Sequence, residues 1–75
     1  MKKLSPISAN ELIKIIEKLG FLFFRQKGSH MIFKHFDGRV TVVPNHPGED
    51  LGVGLLNKII KKDLQISREE FEKYL

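Results

Sequence analysis

Between Phe21 and Pro44 the chain reads as three strands joined by turns too short for any crossover. "FLFFRQK" is aromatic-rich and begins directly after Gly20; "HMIFKH" follows a Gly28-Ser29 turn; "RVTVVP" follows the Asp37-Gly38 hairpin signal and stops at Pro44, which has no amide for a ladder bond. Parallel neighbours need a connection of a dozen residues or more, so these three strands must form an antiparallel meander. The remaining chain must supply whatever covers it.

On the N-terminal side, Ser8-Ala9-Asn10-Glu11 is a capping-box pattern, and Leu12, Ile15, Ile16 and Leu19 recur at helical spacing. This predicts a helix over Ala9–Leu19, with Gly20 as its stop. After the polar loop "NHPGEDLG", Leu56, Ile59, Ile60 and Leu64 mark a second amphipathic helix. Ser67-Arg68-Glu69-Glu70 repeats the capping pattern and opens a short terminal helix presenting Phe71, Tyr74 and Leu75.

Seventy-five residues make one small domain, residues 1–75, with no room for a second core. Three strands cannot bury both faces in so short a chain, so the helices should cover one face and leave the other open. The expected fold is α+β: a two-layer sandwich resembling the double-stranded-RNA-binding domain, helix–three antiparallel strands–helix plus a short C-terminal helix. With no cysteine there is neither a disulfide nor a thiolate metal site. The start "MKKLSPIS" lacks an apolar run of signal-peptide length, and the longest strictly apolar run is "FLFF". The expectation is a soluble, cytoplasmic protein with no membrane partner.

Charge is unevenly spread. Net +4 arises from thirteen Lys/Arg and nine Asp/Glu, but Arg25–Arg39 alone holds four cations and one acid. Such a stretch suits a polyanion, or simply a solvated basic surface. Alternation in the second strand places Met31, Phe33 and His35 toward the core and His30 and Lys34 on the open face. His30 can give and take protons near neutral pH. Gly28 permits close backbone approach, the Ser29 hydroxyl can donate to a phosphate oxygen, and Arg25, Lys27, Lys34 and Arg39 can hold phosphates. For RNA this suggests attack by a 2′-hydroxyl on its own phosphate, with His30 as general acid or base. The plainer alternative is a polar residue where a strand begins.

Other candidates carry less. His30, His35 and His46 with Asp37 or Asp50 have no metal-site spacing, and alternation sends His30 and His35 to opposite faces, so no metal or other cofactor is expected. His35 reads as structural and His46 as a loop residue before the second helix. Lysines 58, 61 and 62 read as a solvated helix face. Phe21, Phe23, Phe24, Phe33 and Phe71 read as core, with no exposed aromatics set between cations as single-strand readers use.

The series Gly20-Phe21, Arg25-Gln26-Lys27-Gly28-Ser29-His30, Asp37-Gly38, Val43-Pro44 and His46 resembles the HicA family of toxins. These are messenger-RNA interferases of HicA–HicB type II toxin–antitoxin systems. The likeness spans nearly the whole chain. It implies a double-stranded-RNA-binding-like fold, metal-independent cleavage of messenger RNA, and a HicB-type antitoxin that covers the active face. The family's catalytic histidine, in its Gly-Ser-His motif, falls on His30. One departure concerns the second helix, where many members carry Gly-Thr-Leu and this chain has Gly54-Leu55-Leu56. A non-catalytic RNA-binding module of the same fold, or an interaction domain for an acidic partner, are the alternatives.

Overall fold

A computed structural model describes residues 4–75; Lys2 and Lys3 of the basic start lie outside them. The order is β1 (Ile7–Ser8), α1 (Ala9–Lys18), β2 (Phe21–Lys27), β3 (His30–His35), β4 (Val40–Pro44), β5 (Asp50–Leu51), α2 (Val53–Lys58), a π-helical segment (Ile59–Leu64) and α3 (Arg68–Glu72). Strands β2, β3 and β4 form the expected antiparallel meander, and the helices lie over one of its faces: an α+β, double-stranded-RNA-binding-like sandwich.

The serine half of each capping box forms. Ser8 Oγ accepts from the Glu11 amide at 3.1 Å, and Ser67 Oγ from the Glu70 amide at 3.0 Å, each satisfying one of the donors a helix start leaves free. Helix α1 ends at Lys18, one residue before the expected Leu19, which is its C-cap. Gly20 then takes φ 101°, which a side chain adopts only under strain, and a Cβ there would sit 2.8 Å from His35 Nε2. Glycine at this position both turns the chain and makes room for the neighbouring strand's imidazole.

Leu12, Ile16, Phe21, Phe33, Val43, Leu56, Ile59, Ile60, Leu64 and Phe71 form the fully buried core, with both helical stripes facing the sheet as their spacing implies. Thr41 is buried beside them, and its hydroxyl donates to Asp63 Oδ2 at 3.0 Å, tying β4 to the π segment.

Four expectations need correction. First, β1 and β5 pair as a two-stranded sheet, Ile7 with Leu51 and Ser8 with Asp50, where the sequence suggested only loop. Two-residue strands carry no alternation signal. Second, β4 begins at Val40, because the Arg39 amide donates to Asp37 Oδ1 at 3.1 Å instead of entering the ladder. Third, the second helix is α-helical only over Val53–Lys58 and continues as the π segment to Leu64; Gly52 is its N-cap with no side-chain cap, so Leu55 lies inside the first turn. Fourth, Phe23 and Phe24 are not core: they are 51% and 54% exposed. β2 is an edge strand, and its register with β3 slips between Phe23 and Arg25, leaving Phe24 as an extra, unpaired residue.

Candidate functional site

The Gly-Ser-His stretch is a two-residue hairpin. Lys27 pairs with His30, so Gly28 and Ser29 alone make the connection, with Gly28 at φ 60° and Ser29 outside the positive-φ region. That is the II′ pattern, whose twist matches the flanking strands and whose first central residue is best filled by glycine. Two bonds brace it: Gln26 Nε2 donates to Gly28 O at 2.9 Å, and the Asn45 amide donates to Ser29 O at 2.7 Å. The first residue after this braced turn is His30, exposed on the sheet face that the helices leave bare.

Register identifies His30's companions. Lys27 faces His30, Arg25 faces Ile32, and Leu22 faces Lys34; on the other side Pro44, Val42 and Val40 face the same three β3 residues. Cross-strand partners share a face, so Arg25 and Lys27 lie beside His30 and Ile32, with Lys34 farther along the same surface. The register puts no Asp or Glu there. Apolar side chains complete it, with Leu22 73% exposed and Val40 and Val42 also open to solvent.

The bulge at Phe24 also turns an aromatic ring toward these cations. Lys34 Nζ stands 3.7 Å from the ring centroid and the Arg25 guanidinium 5.9 Å from it. An exposed aromatic between two cations is the arrangement the sequence reading did not expect. Within "FLFF" nothing distinguishes a residue that enters the core from one that a bulge turns outward.

Arg39 stands apart from this grouping. Its Nε donates to Asp37 Oδ2 at 2.9 Å, its Nη1 to the Leu64 carbonyl, and its guanidinium lies 5.1 Å over the buried Phe21 ring. It clamps the β3–β4 turn to the end of the π segment, where a cation also complements the carbonyls of a helix C-terminus. Asp37 is the centre of that clamp. Desolvation alone would raise its pKa, but the Arg39 amide bond, the Arg39 charge and nearby His35 outweigh it and hold the carboxyl below its ordinary value.

The three histidines divide by environment. His35 is packed edge-on to Phe21 at 5.1 Å and stacked on Phe36 at 4.8 Å; its Nε2 meets the Leu19 carbonyl at 3.2 Å and its Nδ1 meets Asp37 Oδ1 at 3.0 Å. It joins α1, β2 and the hairpin, the structural role its alternation suggested. His46 is exposed in the loop before β5, and His30 is exposed at the head of β3. Among the described residues no three His, Asp or Glu side chains gather as a metal-binding group. Lysines 58, 61 and 62 are exposed along α2 and the π segment.

The arrangement offers an imidazole, cations on its β2 side and farther along β3, a braced turn carrying a hydroxyl, and an aromatic ring. Of the candidate residues, Arg25, Lys27, His30 and Lys34 share this face with the Gly28-Ser29 turn at its end; Arg39 does not. A family model described as the HicA toxin of bacterial toxin-antitoxin matches residues 9–66, a span from the first residue of α1 to just beyond the π segment. No curated protein matches the chain.

Proposed function

The chain belongs to the HicA toxin family of bacterial toxin–antitoxin systems, and on that premise we propose that it is a metal-independent endoribonuclease that cleaves messenger RNA in the cytoplasm, with His30 as its general acid–base. The observation that carries the reading is the bare sheet face, which His30 shares with Arg25, Lys27 and Lys34 and on which the register puts no carboxylate.

In the proposed reaction the 2′-oxygen of a nucleotide attacks the adjoining phosphorus. His30 takes the proton from that hydroxyl, the new O–P bond forms, and the bond to the 5′-oxygen breaks as that oxygen is protonated. The products are a 2′,3′-cyclic phosphate and a 5′-hydroxyl. Charge building on the equatorial oxygens is met by the flanking cations, whose attraction grows as the phosphorane forms. Gly28, lacking a Cβ in open space, lets the strand reach the turn's backbone, and Ser29 Oγ can donate to a phosphate oxygen. Lys27, Ser29 or a water supplies the second proton.

A HicB-type antitoxin fits the same face. It would offer carboxylates to Arg25, Lys27 and Lys34 and apolar side chains to Leu22, Val40 and Val42, excluding RNA by occupancy.

Incubating the chain with RNA in excess chelator, beside His30→Ala, tests the activity. Cleavage by the parent alone, leaving cyclic-phosphate ends, is the expected result. Equal RNA binding without cleavage by either protein makes this a non-catalytic RNA-binding module. That alternative has one observation in its favour: among the described residues His35, and not His30, is the histidine within reach of a carboxylate that could orient it.

A further inference from the structure

Beside the end of β4 lies a cavity of about 280 Å³, walled by Pro44, Leu51 and Leu55 and rimmed by His46, Glu49 and Asp50. We infer that this cavity is the subsite for an unstacked RNA base next to the cleaved phosphate, selecting bases that carry an amino group and rejecting uracil. The inference rests on the RNA-cleaving reading above.

Position argues first. Pro44 is both a wall of the cavity and the residue directly across from His30 in the ladder, a step of about 5 Å between Cα atoms. The Asn45 amide, bonded to the Ser29 carbonyl, locks the cavity's rim to the turn that carries His30. A nucleotide adjoining the phosphate at His30 therefore has its base within reach of the opening.

Chemistry decides what enters. Two carboxylates on the rim repel a phosphate, so the cationic face takes the backbone and this cavity does not. His46, Glu49 and Asp50 do not converge as a metal-binding group. Ionised carboxylates only accept hydrogen bonds, so the complementary ligand edge must donate. The apolar walls suit a flat ring, and the imidazole of His46 can stack on one. Guanine presents two adjacent donors, N1–H and its amino group; adenine and cytosine each present an amino group. Uracil has one N–H between two carbonyl oxygens, and those oxygens would face the carboxylates. Guanine should bind best.

The test uses oligoribonucleotides with a single cleavage site and each base in turn on either side of it. At one flanking position the parent should cleave the amino-bearing substrates with kcat/KM about ten-fold or more above the uracil substrate. Glu49→Gln combined with Asp50→Asn should bring that ratio close to one, because amides accept and donate alike. Both residues are exposed and outside the core, and far-UV circular dichroism checks the variant's fold. A parent without preference at either position, or a double variant that keeps the parental ratio, overturns the inference. Titration of the His30→Ala protein with GMP and with UMP, followed by backbone amide shifts, needs no cleavage. Shifts over residues 49–52 with GMP alone support the subsite even if the parent proves not to cut RNA, a result that would sink the nuclease reading separately. Equal or absent shifts overturn the subsite whatever the cleavage assay shows.

Discussion

At the scale of single residues, two glycines that look alike in the sequence answer to different demands. Gly20 needs φ 101° and also yields space to His35, whereas Gly28 needs only φ 60° and faces open solvent. Gly28→Ala should cost about 1–3 kcal/mol, the backbone strain of a side chain at the positive-φ position of a II′ turn. Gly20→Ala should cost more than that, because His35 must move away from the Leu19 carbonyl; urea denaturation of both variants measures the difference. Asp37 allows a prediction on pH. Its folded-state pKa is depressed, so the unfolded chain binds the proton more readily. The stability this carboxylate contributes is complete above the ordinary aspartate range and fades as pH falls through the lower folded value. Melting temperatures taken from pH 7 down to pH 2 should therefore drop less steeply for Asp37→Asn than for the parent. An equal drop would show that the contacts of Asp37 with Arg39 and His35 do not favour its charged form.

Elements carry the next set of expectations. Helix α1 and helix α3 each start at a serine whose oxygen accepts a backbone amide, while α2 starts at Gly52 with no side-chain cap. Ser8→Ala should destabilise the protein by about 1 kcal/mol, the usual cost of a lost cap. On β2 the bulge makes the opposite kind of residue. Phe24 is more than half exposed, so Phe24→Ala should shift stability by no more than about 0.5 kcal/mol. If a base stacks on its ring, the same change should weaken binding of single-stranded RNA by about 1–3 kcal/mol. Fluorescence anisotropy alongside thermal melting separates the two effects; unchanged affinity would make Phe24 an incidental exposed ring.

For the whole molecule, the core is small and shared by every element. Leu56→Ala, at a side chain with no exposed surface, should cost about 2–5 kcal/mol, against a total of roughly 4–11 kcal/mol for a chain of this length. The variant should show unfolded protein at 37 °C by near-ultraviolet circular dichroism. The bare face supplies the other global property. With Arg25, Lys27 and Lys34 contacting phosphates and Arg39 engaged elsewhere, the logarithm of the RNA affinity should fall with the logarithm of salt at a slope of about −2. A slope near zero would mean that these cations do not hold the backbone.

The chain's own order of residues determined the meander, the two apolar helical stripes, the serine caps and the open face bearing His30. These depend on neighbours a few positions apart, through turn chemistry, 3.6-residue and two-residue periods, and the lack of length for a crossover. The tertiary structure alone decided that Phe24 bulges out beside Lys34 and that Arg39 turns away to Asp37 and Leu64. It alone paired Ile7–Ser8 with Asp50–Leu51 and shaped the open cavity beside Pro44. Each of these depends on partners distant in the chain, and in the sequence such partners leave no periodic trace. Charge type and spacing nominate an arginine for a site; whether it reaches the site depends on which carboxylate and carbonyl the fold brings to it first.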